Sequence, residues 1–129
     1  MSKNFVDINN IAKRWNGQLG VEDISLNFAK GSFVALLGPS GCGKSTTLRL
    51  LSGLEQADQG TIEIDGVDVT DKPPSERNLS MVFQSYALFP HLTVQENVIF
   101  GLRVRKTPPK ERQEKLIRAL EITGLVGFE

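Results

Sequence analysis

Five consecutive apolar residues, Phe33-Val34-Ala35-Leu36-Leu37, run straight into Gly38-Pro39-Ser40-Gly41-Cys42-Gly43-Lys44-Ser45, and leucines at helical spacing follow. No other stretch limits the fold so narrowly. The apolar run predicts a strand covered on both faces, as in a parallel sheet. Leu48, Leu50, Leu51 and Leu54 predict a helix over 46–54, with Gly53 marking its end. Strand, glycine-rich turn and helix, in that order, are the setting in which a G-x-x-x-x-G-K-S run cradles phosphate. Gly38, Gly41 and Gly43 let main-chain N–H groups converge on one point. A helix beginning near Lys44 aims its unpaired N–H groups and positive dipole end there too. Lys44 adds a charge for the β- and γ-phosphates. The Ser45 hydroxyl suits Mg²⁺, which takes hard oxygen ligands and keeps most of its waters. The expected ligand is ATP or a close relative. Cys42, at a variable position, reads as a small tolerated side chain rather than a working thiol. Thr46 has two readings, a contact to the α-phosphate or an early helix residue.

The rest of the chain supports an α/β reading. Val21, Ile24, Leu26 and Phe28 alternate with polar residues, which predicts a half-buried strand ending at Lys30-Gly31. Asp65-Gly66 between Thr61–Ile64 and Val67–Val69 is a two-residue hairpin signal. Lys72-Pro73-Pro74-Ser75 predicts a loop, and Leu79–Phe83 a second buried strand ending at Gln84. Thr93-Val94-Gln95-Glu96 is a capping box that opens a helix towards Leu102. Thr107-Pro108-Pro109 opens a last helix, with Leu116 and Leu120 on one face and Gly124 as its stop. No repeat or low-complexity tract interrupts this order.

Bulk properties exclude several classes. Lys plus Arg equals Asp plus Glu at 15 each, so the basic excess of a nucleic-acid binder is missing. Arg103–Arg118 holds seven basic residues against Glu111 and Glu114, which reads first as a solvated helix face. A single cysteine precludes an internal disulfide framework. The N-terminus lacks a secretory apolar stretch, and no apolar run approaches the roughly 18 residues a membrane span needs. A soluble protein that meets membranes only through partners is expected.

Two segments carry a family resemblance. Gly38–Leu48 resembles the Walker A segment of ABC transporter ATPases, and Met81-Val82-Phe83-Gln84-Ser85-Tyr86-Ala87-Leu88-Phe89-Pro90-His91-Leu92-Thr93-Val94 resembles that family's Q-loop region. The pair is more specific than a P-loop alone. The wording of the second segment is most similar to the ATPase subunits of bacterial solute importers, and the likeness extends along essentially the whole chain.

The resemblance implies a P-loop NTPase fold of the ABC-ATPase type. Its parts are an N-terminal antiparallel β-subdomain, part of a RecA-like core, and the start of a helical subdomain. The core part would span about 1–86 and the helical part about 87–129. It implies ATP and Mg²⁺ as ligands, held by Gly38, Pro39, Ser40, Gly41, Cys42, Gly43, Lys44, Ser45 and Thr46. Ser45 and Gln84 would meet Mg²⁺, with Gln84 sensing the γ-phosphate. Trp15 matches the aromatic that stacks on adenine; by itself a lone Trp is also ordinary half-buried core. Tyr86, Leu88 and Phe89 fall where a transmembrane permease subunit docks, or form core beneath a loop. His91 is a loop residue and not the family's switch histidine. The resemblance implies a homodimer in the intact protein and a place on the cytoplasmic face of the cell membrane through permease partners, while the neutral charge leaves no nucleic-acid partner expected.

The same resemblance marks what these 129 residues do not contain: the Leu-Ser-Gly-Gly-Gln motif, the Walker B strand, the catalytic Glu and the switch His. No residue here replaces that Glu, so the chain alone is expected to bind nucleotide with negligible turnover. A truncated gene product, an incomplete reading of the gene or an isolated N-terminal piece is expected on this reading. The competing functions are a soluble, non-transport ABC ATPase and a non-catalytic ATP-binding fragment. The transported solute is unreadable, because other subunits choose it.

Overall fold

The computed structural model describes residues 4–129, which cluster into two compact units, one ending at Met81 and the other spanning Val82–Glu129. The first unit is built on an antiparallel sheet. Its strands are β1 (Asn4–Trp15), β2 (Gln18–Ala29), β3 (Gln59–Ile64) and β4 (Val67–Asp68), in spatial order β2-β1-β3-β4. Asn16-Gly17 turns β1 into β2, both with positive φ. Asp65 and Gly66, also both at positive φ, close the expected hairpin, and Ile64 pairs with Val67.

One sheet face is the core. Val6, Ile8, Ile11, Val21, Ile62, Ile64 and Val69 are buried together with Leu50, which helix α1 (Lys44–Ser52) inserts among them. Leu50 is thus the anchor that fixes the helix behind the glycine-rich turn onto the sheet. Burying such a side chain stabilises by roughly 1.5–3 kcal/mol. The helix stops at Gly53, as its spacing predicts, and the N–H of this left-handed residue donates to Leu50 O at 3.2 Å.

The pattern reading starts the sheet at Val21, whereas the structure starts it at Asn4. β1 escapes pattern reading because its alternation breaks. Between the pairs Ile8↔Leu26 and Ile11↔Ile24, β1 spends one residue more than β2. Asn10 absorbs the kink at positive φ, with its N–H donating to Ser25 Oγ at 2.9 Å.

Two predicted strands are corrected. Residues 33–37 and 79–83 form no strand. Phe33 is 98% exposed, Leu37 92% and Val82 90%. A buried parallel strand is defined by hydrogen-bonded neighbours on either side, and every strand pair among the described residues is antiparallel and made by β1–β4. Without a ladder, high apolar content leaves these segments irregular and largely exposed.

The second unit packs α2 (Val94–Val104) against α3 (Pro109–Thr123) through Ile99, Leu116 and Leu120. The capping box is present in full: Thr93 Oγ1 accepts from Glu96 N, and Glu96 Oε2 accepts from Thr93 N at 2.9 Å. Pro109 opens α3 and left-handed Gly124 ends it, both as predicted.

Candidate nucleotide site

In the first unit the glycine-rich run folds as a tight turn onto α1. Gly43 is the N-cap at φ 96°, a conformation L side chains rarely adopt. A Cβ there would lie 2.5 Å from Val21 Cγ1, so glycine is required both by torsion and by the approach of β2. No side chain caps this helix end, and no acidic residue sits in its first turn. The first-turn N–H groups of Lys44, Ser45 and Thr46 therefore face outward without intrahelical acceptors. That is the charge pattern of an anion site.

Lys44 is drawn back over the turn. Its ammonium donates to the carbonyl of Gly38, to that of Pro39 at 2.8 Å, and to Cys42 Sγ at 3.5 Å. These bonds gather Gly38, Pro39, Cys42 and Lys44 around one point. An open cleft of about 370 Å³ adjoins it, lined in part by Leu26, Leu37, Cys42, Gly43, Lys44 and Thr47. Ser45 is exposed, leaving its hydroxyl accessible. Thr47, by contrast, is buried and spends its hydroxyl on Gly43 O at 2.8 Å. The donor set fits a phosphate with Mg²⁺: backbone N–H groups, one ammonium, one free hydroxyl, and a cradle that a Cβ would obstruct.

Trp15 ends β1 and is 41% exposed. The backbone that carries it is held from β3's leading loop. Asp58 accepts Arg14 N–H at 2.8 Å and the Lys13 ammonium at 3.4 Å. Chiefly the Arg14 N–H holds the Asp58 carboxyl below its ordinary pKa.

Gln84, Tyr86, Leu88 and Phe89 belong to the second unit. Gln84 is exposed in a turn in which Tyr86 N donates to Phe83 O at 3.0 Å, and no strand precedes it. Tyr86 and Ala87 both take positive φ, 65° and 50°, without being glycine. This sets Tyr86 and Leu88 out in solvent. Phe89 instead packs at a tilt against Phe100 with centroids 4.5 Å apart, and His91 sits edge-on to it at 6.1 Å.

Pattern reading missed two organising side chains. Arg77 is only 4% exposed and donates to four carbonyls. These are Leu50 O (2.9 Å) and Leu51 O (3.0 Å) at the end of α1, and Lys72 O (2.8 Å) and Thr70 O (3.0 Å). Burial pulls its pKa down and Asp71 pushes it up, and the guanidinium stays charged. Asn97 does similar service for the second unit, accepting from Phe89 N at 3.0 Å and donating to Thr93 O at 2.9 Å. Neither stands in a motif; an Arg before an apolar run and an Asn one turn into a helix are everyday sequence.

Comparison with known proteins decides the family. Residues 21–129 match the ABC transporter family. The chain belongs to the ABC transporter family. It is 44% identical over 129 residues to the spermidine/putrescine import ATP-binding protein PotA of Clostridium novyi, covering all of this chain and 37% of that protein. It is 47% identical over 127 residues to the Fe(3+) ions import ATP-binding protein FbpC of Escherichia coli K12, covering 98% and 36%. The chain thus spans little more than a third of these relatives' length. Among solved structures, the dimeric post-hydrolysis state of the ATP-binding cassette MJ0796 with ADP and Pi superposes with a TM-score of 0.77 at 29% identity. That match covers 90% of this chain and 56% of the other. The fold is therefore that of an ABC ATPase, of which the antiparallel sheet, the P-loop helix and the helical pair are present here. Among the described residues, no helix is long and apolar enough to cross a membrane.

Proposed function

We propose that this chain is ATP-binding sequence of an ABC importer, coupling ATP binding and hydrolysis in the whole protein to solute uptake. The observation that carries the reading is the uncapped, acid-free N-terminus of α1 behind Gly43, with Lys44 poised over the turn. Gly38–Thr46 would hold the phosphates, Ser45 and Gln84 would meet Mg²⁺, and Trp15 would stack on the base. Mg²⁺, when bound, neutralises phosphate charge; the chain's own part is to bind and orient. Gln84 then senses the γ-phosphate at the junction of a core part (about 1–86) and a helical part (about 87–129).

Solvent-facing Tyr86 and Leu88 support a docking role towards transmembrane permease subunits, and favour import over a soluble, non-transport ATPase. On this reading the protein works as a homodimer on the cytoplasmic face of the membrane, attached through those partners. These 129 residues supply a phosphate cradle and no general base, so alone they are expected to bind ATP and turn it over negligibly. A steady-state rate comparable to an intact ABC ATPase refutes that.

Calorimetric titration with Mg-ATP tests the site itself. Lys44→Ala is expected to weaken binding by about 10- to 100-fold, the loss of one or two charge-assisted bonds. Unchanged affinity refutes the assignment.

A further inference from the structure

The β1–β2 hairpin is irregular where it nears the P-loop. Lys13 pairs with Val21 but Arg14 pairs with Leu19, so Gly20 is an extra residue without a partner across the ladder. Bulges of this kind bend a strand and re-aim the side chains around it. Two functional pieces converge on this one. The indole of Trp15 lies directly on Gly20: a Cβ there would overlap Cζ3, stand 2.8 Å from Cε3, and stand 2.9 Å from the Lys13 carbonyl oxygen. The carbonyl oxygen of Gly20 in turn lies 3.6 Å from the Cβ position of Gly43, the N-cap of the P-loop helix. A single residue therefore touches the aromatic ring and abuts the phosphate turn.

We propose that the Gly20 bulge is a positioning element that sets the reach between the Trp15 ring and the Gly43 turn, and so makes the site select a nucleoside triphosphate over a bare polyphosphate. The proposal rests on the reading of Trp15 as the base-stacking residue. Two surfaces help one ligand only when they are held at its own span; a ring free to swing would lose part of the stacking gain to ordering. The bulge supplies that constraint with backbone alone. Gly20 offers no side chain, so the indole can approach the strand closely, and its carbonyl oxygen stands next to the space above Gly43.

Binding of Mg-ATP and Mg-tripolyphosphate to the 129-residue chain, and to Gly20→Ala, tests this. Gly20→Ala displaces the ring, so ATP affinity is expected to fall about tenfold while tripolyphosphate affinity stays within about twofold. An equal loss for both ligands, or none, overturns the proposal. Trp15 is the single tryptophan, so its fluorescence reports on the ring alone. In the unmutated chain, time-resolved anisotropy should show the indole tumbling with the protein; fast local rotation overturns the proposal even if the variant does not fold. The two levels separate cleanly. If the unmutated chain binds ATP no better than tripolyphosphate, the stacking reading fails and the inference with it. If it prefers ATP and folded Gly20→Ala keeps that preference, only the role of Gly20 fails.

Discussion

The turn at Gly38–Ser45 and the turn at Gln84–Phe89 use backbone in opposite ways. In the first, the left-handed positions Gly41 and Gly43 are glycines, and the loop consumes its own lysine in bonds to Gly38 and Pro39. In the second, the left-handed positions are Tyr86 and Ala87, and the side chains beside them stand in solvent. A non-glycine residue at positive φ costs about 1–2 kcal/mol. The second turn is held in spite of that by Asn97, whose amide bridges Phe89 to the start of α2. A phosphate site needs main-chain atoms bare and close; a docking site needs side chains pushed outward. On the proposed roles, the two turns would meet these demands with different residue types.

The contrast can be broken at its supports. Arg77→Met should have the largest effect, about 3 kcal/mol lost from the first unit, because buried carbonyls at the end of α1 lose a charged donor. Amide hydrogen exchange would register it as lost protection in α1 and β3, with α2 and α3 unchanged; uniform loss across both units contradicts the assignment. Gly43→Ala should follow at about 2 kcal/mol, combining a disfavoured torsion with the approach of Val21. Denaturant melts should show it, with ATP affinity falling as well; a variant as stable as the parent would mean the turn is not held at φ 96°.

Smaller effects sharpen the second unit. Thr93→Ala removes the cap of α2 and should cost about 1 kcal/mol, seen in α2 amides and absent from β1–β3. Acid should act least. The Thr93 N–H holds the Glu96 carboxyl below its ordinary 4.5, so its support is complete at neutral pH and disappears as pH falls through that depressed value. Helicity followed by circular dichroism should drop in that acid range in the parent and less in Glu96→Gln. Equal acid sensitivity in the two proteins would remove Glu96 from the account.

What was legible in the sequence was local. Asp65-Gly66, Thr93 to Glu96, Pro109, Gly53 and Gly124 each act on atoms within a few residues, so their chemistry shows in the letters. The glycine-rich turn and the helix behind it belong to the same class, since the residues that shape them are consecutive. β1 was hidden because Asn10 breaks the alternation that marks a strand. Residues 33–37 and 79–83 were misread for the converse reason: their composition is that of a buried strand, but a strand is a relation between segments. Arg77 escaped because two of its acceptors, Leu50 and Leu51, lie 27 and 26 residues away. The Gly20 bulge escaped likewise, since only pairing register reveals it.

The self-bonding of Lys44 has a calorimetric consequence. A phosphate that recruits this ammonium gains its bonds by exchange for those to Gly38 and Pro39, so much of the enthalpy of one set cancels against the other. Binding heat at this loop should therefore understate the number of contacts formed. Carbonyls released from Lys44 turn to water, and the loop that lets go of its lysine is looser than the one that held it. Nucleotide would then tighten the turn around phosphate while loosening the link between Lys44 and residues 38–39, an order traded within eight residues rather than spread through the domain.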